Sequence, residues 1–376
     1  MADMILVTGG AGFIGSHVVD ALVERGQAVR VLDSLLPAAH RAAPSYVNPG
    51  AEWIEGDVTD SSSVARALRG VEGVCHQAAM VGIGQDMLDI RDYALHNDLG
   101  TATLLKELAA ARFSGRLVLA SSMVVYGGGA YACSLHGTVR PAPRRIEDLA
   151  GGSFEARCPS CGLELTPLAV EESSPLDPRS VYAATKVHQE QLCFAFSRET
   201  GVPVTALRYH NVYGPRMPRD TPYAGVAAIF ASALAAGERP RVFEDGRQLR
   251  DFVHVRDVAR ANVISLTAEE PLPGAFNVAS GRPRTVLEMA QALTAAAGAQ
   301  TLEPIVSGES RLGDVRHVFA SAERARRVLG FEAREGFAEG MAEFAAGIAE
   351  RPRQDGAPVE GSARTPTRRA RTAHRT

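Results

Sequence analysis

The feature of this sequence that most constrains its fold is a glycine-rich segment near the N-terminus. Residues 4–8, Met-Ile-Leu-Val-Thr, form an apolar run typical of a buried strand, and Gly-Gly-Ala-Gly-Phe-Ile-Gly follows at 9–15. Glycines at this spacing permit a tight turn, close approach of a pyrophosphate and close packing of a helix on a strand. The N-terminus of that helix would offer free amides and partial positive charge to phosphate oxygens. We predict dinucleotide contacts at Gly9, Gly12, Phe13, Ile14 and Gly15.

A second apolar strand follows, and its end carries an acid. Residues 28–32 read Ala-Val-Arg-Val-Leu, and Asp33 comes next. A carboxylate about twenty residues after the glycines can accept hydrogen bonds from both ribose hydroxyls of NAD and would repel the 2′-phosphate of NADP. We therefore predict NAD as the cofactor, with an ordinary loop acid as the alternative interpretation of Asp33.

Strands and helices then alternate through most of the chain. This alternation predicts an α/β fold, a Rossmann-type doubly wound parallel sheet with a smaller C-terminal substrate-binding lobe. Ligands of such sheets bind outside the carboxyl ends of the strands. Further cofactor contacts are predicted there at Asp57, Val58, Gln77, Ala78, Ala79 and Asn97. Asn97 is also predicted to open a helix through about Arg112, and a structural role for its side chain is an equally good interpretation.

The chain divides into three predicted regions. Residues 1–180 form the NAD-binding domain and include an insertion at 128–170, while 181–350 supply the rest of the sheet and the substrate lobe. Residues 351–376 hold seven arginines and little apolar material, which predicts a disordered basic tail.

Composition limits the classes of partner and compartment. A net charge of −3 and a pI near 6.4 argue against nucleic acid or an acidic membrane as the main partner. No apolar run approaches the ~18–20 residues needed to span a bilayer, and the N-terminus lacks the pattern of a signal peptide. A cytoplasmic protein is expected. In that compartment its five cysteines are expected to be thiols or metal ligands rather than disulfides.

The insertion at 128–170 carries two short pairs of soft metal ligands. Cys133 and His136 form one pair, and Cys158 and Cys161 form the other, each separated by two residues. Two such pairs can complete a tetrahedral zinc site that holds a loop without a core of its own. We predict a structural zinc, with free cysteines and a solvated histidine on an exposed loop as the alternative.

A tyrosine and a lysine lie four residues apart on a later predicted helix, at about 182–200. Tyr182 and Lys186 would share one helical face, and an ammonium beside a phenol favours the phenolate and lowers its pKa. Lysine is rare here, since only Lys106 and Lys186 occur among forty basic residues. The pair is a plausible proton-transfer device, although this spacing also arises by chance in many helices.

Together these motifs resemble those of the extended short-chain dehydrogenase/reductase family, specifically its nucleotide-sugar epimerases and dehydratases. The matching segments are 8–15, Ser121-Ser122 before Tyr126-Gly127, Tyr182-x-x-x-Lys186, Arg208–Pro215, Arg250–Val255 and Gly313–Val315. The resemblance implies that Tyr182 is the catalytic base, that Lys186 holds the nicotinamide ribose and that Ser122 bonds the reacting hydroxyl. It places Ser122, Met123, Asn211, Arg250 and Arg311 at the substrate, a nucleoside-diphosphate sugar linked to dTDP or UDP.

The residues after Ser122 help to choose the reaction. Family members that act as 4,6-dehydratases resemble one another in having Asp-Glu there, an acid and a base for elimination, whereas this chain has Met123 and Val124. That difference favours 4-epimerisation by transient oxidation at C4 of the sugar. The insertion resembles that of dTDP-L-rhamnose 4-epimerase-type members. Alternatives are UDP-glucose, UDP-glucuronate or N-acetyl-sugar 4-epimerases, or a net oxidoreductase or dehydratase of the same family. The resemblance also implies a homodimer through helices near 100–112 and 182–200.

Overall fold

The computed structural model describes residues 4–36, 44–81, 87–218, 225–311 and 314–349. The predicted basic tail and Gly313 lie outside these residues. The strands are β1 (Met4–Thr8), β2 (Ala28–Asp33), β3 (Glu52–Glu55), β4 (Val71–His76), β5 (Arg116–Ser122), β6 (Ala130–Cys133), β7 (Gly137–Val139), β8 (Thr166–Leu168), β9 (Val204–Tyr209), β10 (Asn211–Tyr213), β11 (Arg241–Val242), β12 (Leu249–Arg250), β13 (Phe252–His254), β14 (Gly274–Val278), β15 (Arg284–Thr285) and β16 (Ile305–Val306). The α-helices are α1 (Phe13–Val23), α2 (Ser61–Ala67), α3 (Ile90–Tyr93), α4 (Gly100–Ala110), α5 (Ile146–Ala150), α6 (Val181–Thr200), α7 (Val226–Ala235), α8 (Val255–Thr267), α9 (Val286–Ala296) and α10 (Phe337–Ala349).

Seven of these strands form a parallel sheet in the order β14-β9-β5-β4-β1-β2-β3. Helices cover both faces: α1 and α8 pack on one, and α2, α4 and α6 on the other. Because both faces are covered, strand residues are apolar without alternation, and Ile5, Leu6 and Val7 of β1 are at most 3% exposed. The predicted Rossmann-type doubly wound sheet is confirmed.

A smaller lobe follows the sheet. Helices α7, α9 and α10 bury a separate apolar cluster around Phe230, Met289 and Phe344. Three two-stranded ladders, β10 with β13, β11 with β16, and β12 with β15, join this lobe to the sheet edge within the described residues. The division of the chain at residue 180 stays a prediction. Strands β9 and β14 from the later half belong to the main sheet.

The insertion at 128–170 has more structure than the sequence predicted. Strands β6, β7 and β8 pair in an antiparallel sheet, with β6 in the middle. Five buried side chains form a small core of their own, namely Tyr131, Cys133, Ala156, Cys158 and Leu165. The expectation of a loop without a core was therefore wrong.

The predicted helix start at Asn97 was also wrong. Asn97 lies inside a π-helical stretch, Ala94–Leu99, which joins α3 to α4 without a break. Further along the chain, β12 and β13 precede α8, which begins at Val255.

No helix among the described residues is long and apolar enough to cross a membrane.

Candidate active site

The glycine loop between β1 and α1 is shaped for close approach of another group. Gly9 has φ of +70°, and a Cβ there would lie 2.6 Å from the amide nitrogen of Ala78. A Cβ on Gly15 would overlap the carbonyl oxygen of Gly9. Gly12 is the N-cap of α1, where no described side chain caps the helix, so amides of the first turn at Phe13 and Ile14 are available to a phosphate. The loop fits a dinucleotide pyrophosphate.

Asp33, at the end of β2, also holds this loop. Its two carboxylate oxygens accept hydrogen bonds from the backbone N–H groups of Ala11 and Leu35, each with an N···O distance of 2.9 Å. Each carboxylate oxygen can accept a further hydrogen bond. The side chain is therefore oriented beside the glycine turn, as a ribose ligand requires, and direct contact with NAD stays a prediction.

The end of β4 lies against the glycine loop. The backbone N–H of Gln77 donates to the Thr8 carbonyl at 3.1 Å, and that of Ala78 to the Thr8 hydroxyl at 3.2 Å. The Gln77 side chain turns away into the core, where it donates to Tyr209 Oη at 2.9 Å and Asn262 Oδ1 at 3.0 Å. At this position the main chain, rather than the Gln77 amide, faces the cleft. Ala79 continues this segment, and its contact with the cofactor stays a prediction.

Two further predicted cofactor residues follow β3. Asp57 Oδ1 accepts hydrogen bonds from the amide and hydroxyl of Thr59, both at 2.8 Å. Val58 is 8% exposed and belongs to the apolar cluster on the α4 side of the sheet. Their contact with the adenine stays a prediction.

Asn97 connects the β4 loop to the helix of Tyr182. Its side chain accepts from Met80 N at 2.7 Å and donates to Met80 O at 3.0 Å and Thr185 Oγ1 at 2.9 Å. Because Asn97 is fully buried, the structural role weighed for it is the one its contacts support. The π-helical turn that rotates this side chain inward carries no signal in the sequence that we recognised.

Ser122, Tyr182 and Lys186 come together at the carboxyl end of β5. The Ser122 hydroxyl interacts with the Tyr182 phenol and favours its ionisation, which opposes a raised pKa. Ser180 caps the helix that carries Tyr182 by accepting from Ala183 N at 3.1 Å. Lys186 Nζ lies 5.9 Å from the centre of the Tyr182 ring and donates to the Ala120 carbonyl at 2.9 Å. The predicted trio therefore forms one constellation.

The electrostatics of this trio differ from the sequence-based expectation. Burial raises the pKa of the Tyr182 phenol, and the Ser122 hydroxyl only partly opposes this. Burial also lowers the pKa of Lys186 to about 8. The expected lowering of the Tyr182 pKa is not found, because burial is the largest influence on this phenol. A phenolate here needs additional positive charge.

A buried acid on the same helical face was missed from the sequence. Glu190 lies one turn beyond Lys186 and is 2% exposed. It accepts from Arg208 Nε at 2.9 Å and Nη2 at 2.7 Å, and from the Ser121 hydroxyl at 2.5 Å. Ser121 precedes Ser122, so this network fixes α6 against β5 and β9. The sequence did indicate that Glu190 lies on the same helical face as Lys186, because it follows Lys186 by four residues.

The predicted substrate residues lie on the side of the smaller lobe. Arg250 donates to the carbonyls of Leu249, Val315 and Arg316 at 2.6–2.9 Å. Arg311 lies over the Phe243 ring at 4.6 Å. Asn211 Oδ1 is buried and has no hydrogen-bond partner within the described part of the chain. Met123 is partly exposed just after Ser122. Substrate contact by these residues stays a prediction.

The four predicted metal ligands are brought together in the insertion. Their ligand atoms all lie within 4.8 Å of one another. Cys133 Sγ lies 3.5 Å from His136 Nδ1 and 3.6 Å from Cys161 Sγ, and Cys158 Sγ lies 3.6 Å from His136 Nδ1. In a tetrahedral site with Zn–S of ~2.3 Å and Zn–N of ~2.0 Å, neighbouring donors lie about 3.5–3.8 Å apart. The four residues fit a zinc ion.

Comparison with known proteins shows the family of this chain. The sequence profile of the NAD dependent epimerase/dehydratase family matches residues 5–147 and 162–279. The chain belongs to the NAD-dependent epimerase/dehydratase family. A dTDP-L-rhamnose 4-epimerase from Burkholderia thailandensis is 34% identical over 351 residues, covering 92% of this chain and 95% of the relative.

Solved epimerase structures superpose on most of this NAD-dependent epimerase/dehydratase. UDP-glucose 4-epimerase of Thermotoga maritima, with UDP-glucose, has a TM-score of 0.73 and 31% identity and covers 92% of this chain and 98% of its own. UDP-glucose 4-epimerase of Thermus thermophilus, with NAD, has a TM-score of 0.71 and 30% identity and covers 92% and 99%. The present chain is an NAD-dependent enzyme of the nucleotide-sugar epimerase type. The profile match omits 148–161, a segment of the insertion that contains Cys158 and Cys161.

Proposed function

We propose that this enzyme is a 4-epimerase of a dTDP-linked sugar, with dTDP-L-rhamnose as the best candidate substrate. The observation that carries the proposal is the meeting of Ser122, Tyr182 and Lys186 at the end of β5. The two residues after Ser122 are Met123 and Val124, which have no titratable group. One base and one hydride acceptor suffice for epimerisation, whereas elimination of water needs a further acid and base. The similarity to the Burkholderia enzyme over 92% of the chain supports the sugar.

In this mechanism the chain's own residues move one proton and hold the sugar. Tyr182 takes the proton of the C4 hydroxyl, Ser122 donates a hydrogen bond to the oxygen as charge develops, and Lys186 helps to hold the nicotinamide ribose. Bound NAD would supply the acceptor for the C4 hydride and a positive charge beside the phenol. Once the keto sugar has turned over and regained the hydride on its other face, Tyr182 would give back the proton, so that no net oxidation occurs.

The diphosphate would be held away from the reacting carbon. Asn211, Arg250 and Arg311 are the predicted contacts, and guanidinium groups suit phosphate oxygens. The unpartnered Asn211 Oδ1 and the partly exposed Arg311 support this role. Binding energy from the diphosphate then remains constant while the sugar rotates.

The test follows C4 stereochemistry. Purified enzyme is incubated with dTDP-L-rhamnose, UDP-glucose and UDP-glucuronate, and the products are read by NMR. Inversion of dTDP-L-rhamnose at C4 is expected; inversion of a UDP-sugar alone would replace the substrate assignment. Steady growth of absorbance at about 340 nm would instead indicate net oxidation to NADH. Unchanged sugars across the panel, with NAD bound, would contradict epimerase function.

We also propose that Cys133, His136, Cys158 and Cys161 bind one structural zinc. The donor separations of 3.5–3.6 Å support this, and all four positions would be filled by protein, which leaves none for chemistry. Metal analysis of purified protein should give about one zinc per chain. A content below about 0.3 equivalents, after refolding with zinc, would contradict the site.

We propose a homodimer that forms through α4 and α6. Two exposed apolar side chains lie near these helices, Ile90 at 47% and Leu99 at 50%, and such residues are enriched where subunits meet. Analytical ultracentrifugation should give twice the chain mass, and Leu99→Glu should shift the distribution towards monomer. A monomer at micromolar concentration would contradict this assembly.

A further inference from the structure

A partly buried set of charges, with Arg316 and Glu244 at its buried centre, joins the insertion to the smaller lobe. This set, here called the Arg316 cluster, consists of Arg144 and Glu155 from the insertion and Glu244, Asp245 and Arg316 from the lobe. Arg316 is 2% exposed and bonds three acids: Glu244 at 2.8 Å, Asp245 at 2.6 Å and Glu155 through Nε at 3.0 Å. Buried charges require such partners, so the two parts of the chain are energetically connected here.

Glu244 occupies a backbone conformation that disfavours its residue type. Its φ is +54°, in the left-handed region, and its side chain is 2% exposed. A non-glycine residue is retained in that region where surrounding contacts over-determine it. The contacts here are explicit, because one carboxylate oxygen pairs with Arg144 at 2.6 Å and the other with Arg316 at 2.8 Å. Glu244 is thus one of the residues that bridge insertion and lobe, and Glu155 makes a second bridge through Arg316.

The same contacts reach the predicted diphosphate arginine. Arg144 donates to the Asp314 carbonyl at 2.7 Å, and His317 is held by the Glu155 carboxylate at 2.8 Å and by Tyr131 Oη at 3.2 Å. Between them, the carbonyls of Val315 and Arg316 accept from Arg250 at 2.6 and 2.9 Å. The insertion thus fixes the main-chain oxygens that orient the Arg250 guanidinium.

We propose that the insertion braces segment 314–318, which holds Arg250, and that Glu244 is a positioning residue for nucleoside-diphosphate binding through Arg250. The proposal rests on the nucleotide-sugar function proposed above. In it the metal-held insertion acts on ground-state binding of the diphosphate, and the Ser122–Tyr182 pair is left unchanged because no member of the cluster contacts it.

The test compares Glu244→Gly with Glu309→Gln in NAD-loaded enzyme. Glycine accepts the left-handed φ, so the first variant removes the bridging carboxylate without adding backbone strain. The second removes an exposed ion pair of the same lobe, Arg241–Glu309, whose side chains are 60% and 55% exposed. Dissociation constants for dTDP and UDP are measured by calorimetry, together with KM and kcat for the accepted sugar.

Glu244→Gly should weaken nucleoside-diphosphate binding about tenfold and raise KM similarly, with kcat and NAD content within about twofold of wild type. Glu309→Gln should leave all of these unchanged. Equal binding by wild type and Glu244→Gly would overturn the proposal, as would a loss confined to kcat.

A second measurement separates failure of the brace from failure of the proposed function. Hydrogen exchange is followed at the amides of His317 and Val318, which donate to Tyr131 Oη and the Leu249 carbonyl. Exchange there should accelerate in Glu244→Gly and in Cys158→Ala, whichever ligand the enzyme takes. If neither dTDP nor UDP binds to wild type, the substrate assignment fails, but the hydrogen-exchange measurement still tests whether the insertion holds segment 314–318 in place. Unchanged exchange in both variants would overturn it.

Discussion

The region around Ser122, Tyr182 and Lys186 and the insertion are neighbours along the chain but are stabilised in different ways. Ser122, Tyr182 and Lys186 lie on β5 and α6, elements of the large sheet core, and the Glu190–Arg208 pair fixes them from below. The insertion between them has one small apolar cluster of five side chains, together with the four proposed zinc ligands and the Arg316 cluster. The first region is ordered by apolar packing, and the second by a few directional bonds. A substitution in the first region should therefore affect activity or the stability of the whole fold, whereas one in the insertion should have mainly local effects.

The largest expected effect is on the chemical step at Tyr182. Tyr182→Phe removes the proposed base and should lower kcat at least ~10³-fold, with little change in nucleotide binding or NAD content. Tyr126→Phe removes a buried phenol oxygen that bonds Asn277 and Arg208. It leaves the Glu190–Arg208 pair in place, so activity should stay within about tenfold. Steady-state kinetics with the accepted sugar make the comparison. Retention of more than a tenth of wild-type kcat in Tyr182→Phe would exclude this residue as the base.

The next effect is on global stability. Glu190→Ala leaves the Arg208 guanidinium buried without its bidentate partner, which should cost about 3–5 kcal/mol of unfolding free energy. Glu323→Gln breaks an exposed pair with Arg326, with both side chains over 60% exposed, and should cost under about 0.5 kcal/mol. Urea unfolding measures both variants. Similar losses in the two would show that the buried network does not hold α6 against the sheet.

Acid should destabilise the sheet core through its buried histidines. Burial lowers the pKa of His76 to about 3, against about 6.5 in the unfolded chain. The folded state therefore prefers neutral His76, and its contribution to stability is complete above about pH 6.5 and declines as pH falls towards 3. The slope approaches about 1.4 kcal/mol per pH unit for this one group.

Other buried histidines share this dependence, since burial also lowers the pKa of His17 and His210. The discriminating experiment is chemical unfolding between pH 7 and 5 for wild type and His76→Gln. Glutamine keeps hydrogen-bonding capacity towards Thr8 and Thr101 but takes up no proton, so the pH slope should fall by about one proton. An identical slope would mean that His76 is not held neutral.

The smallest global effect is expected in the insertion. Cys158→Ala should abolish zinc binding and increase proteolysis within 128–170, while the urea midpoint of the main sheet changes little. Cys193→Ala supplies the matched control, because Cys193 is buried in α6 away from the four ligands; its zinc content should equal wild type. Loss of the whole fold in Cys158→Ala would remove the distinction between the two regions.

What could be predicted from the sequence follows the range of the interactions involved. The glycine loop, the Tyr182–Lys186 pair and the four metal ligands were found because each rests on residues close together in sequence, with spacing that implies geometry. The NAD-dependent family and the doubly wound sheet followed from the order of these motifs and the alternation of strands and helices.

The missed features depend on partners far apart in the chain. Glu244 gains its role only when Arg144 and Arg316 meet it, separated by 100 and 72 residues. The π-helical turn at Asn97 likewise depends on Met80 and Thr185. No local pattern encodes such meetings, and the pKa of Tyr182 was misjudged for the same reason, because burial is a property of the assembled fold.

The pairing of Ala130 in β6 with Leu168 in β8 has a consequence for how this enzyme can be altered. The two ends of the insertion therefore lie side by side, and the residues between them form a closed loop. Loop-closure entropy grows only slowly with loop length, and replacing residues between these two points should place little strain on the strands beneath. The site is therefore a natural junction for grafting: a different module could be exchanged there above an unchanged oxidation–reduction apparatus, as long as it keeps Arg144 and Glu155 for the Arg316 cluster.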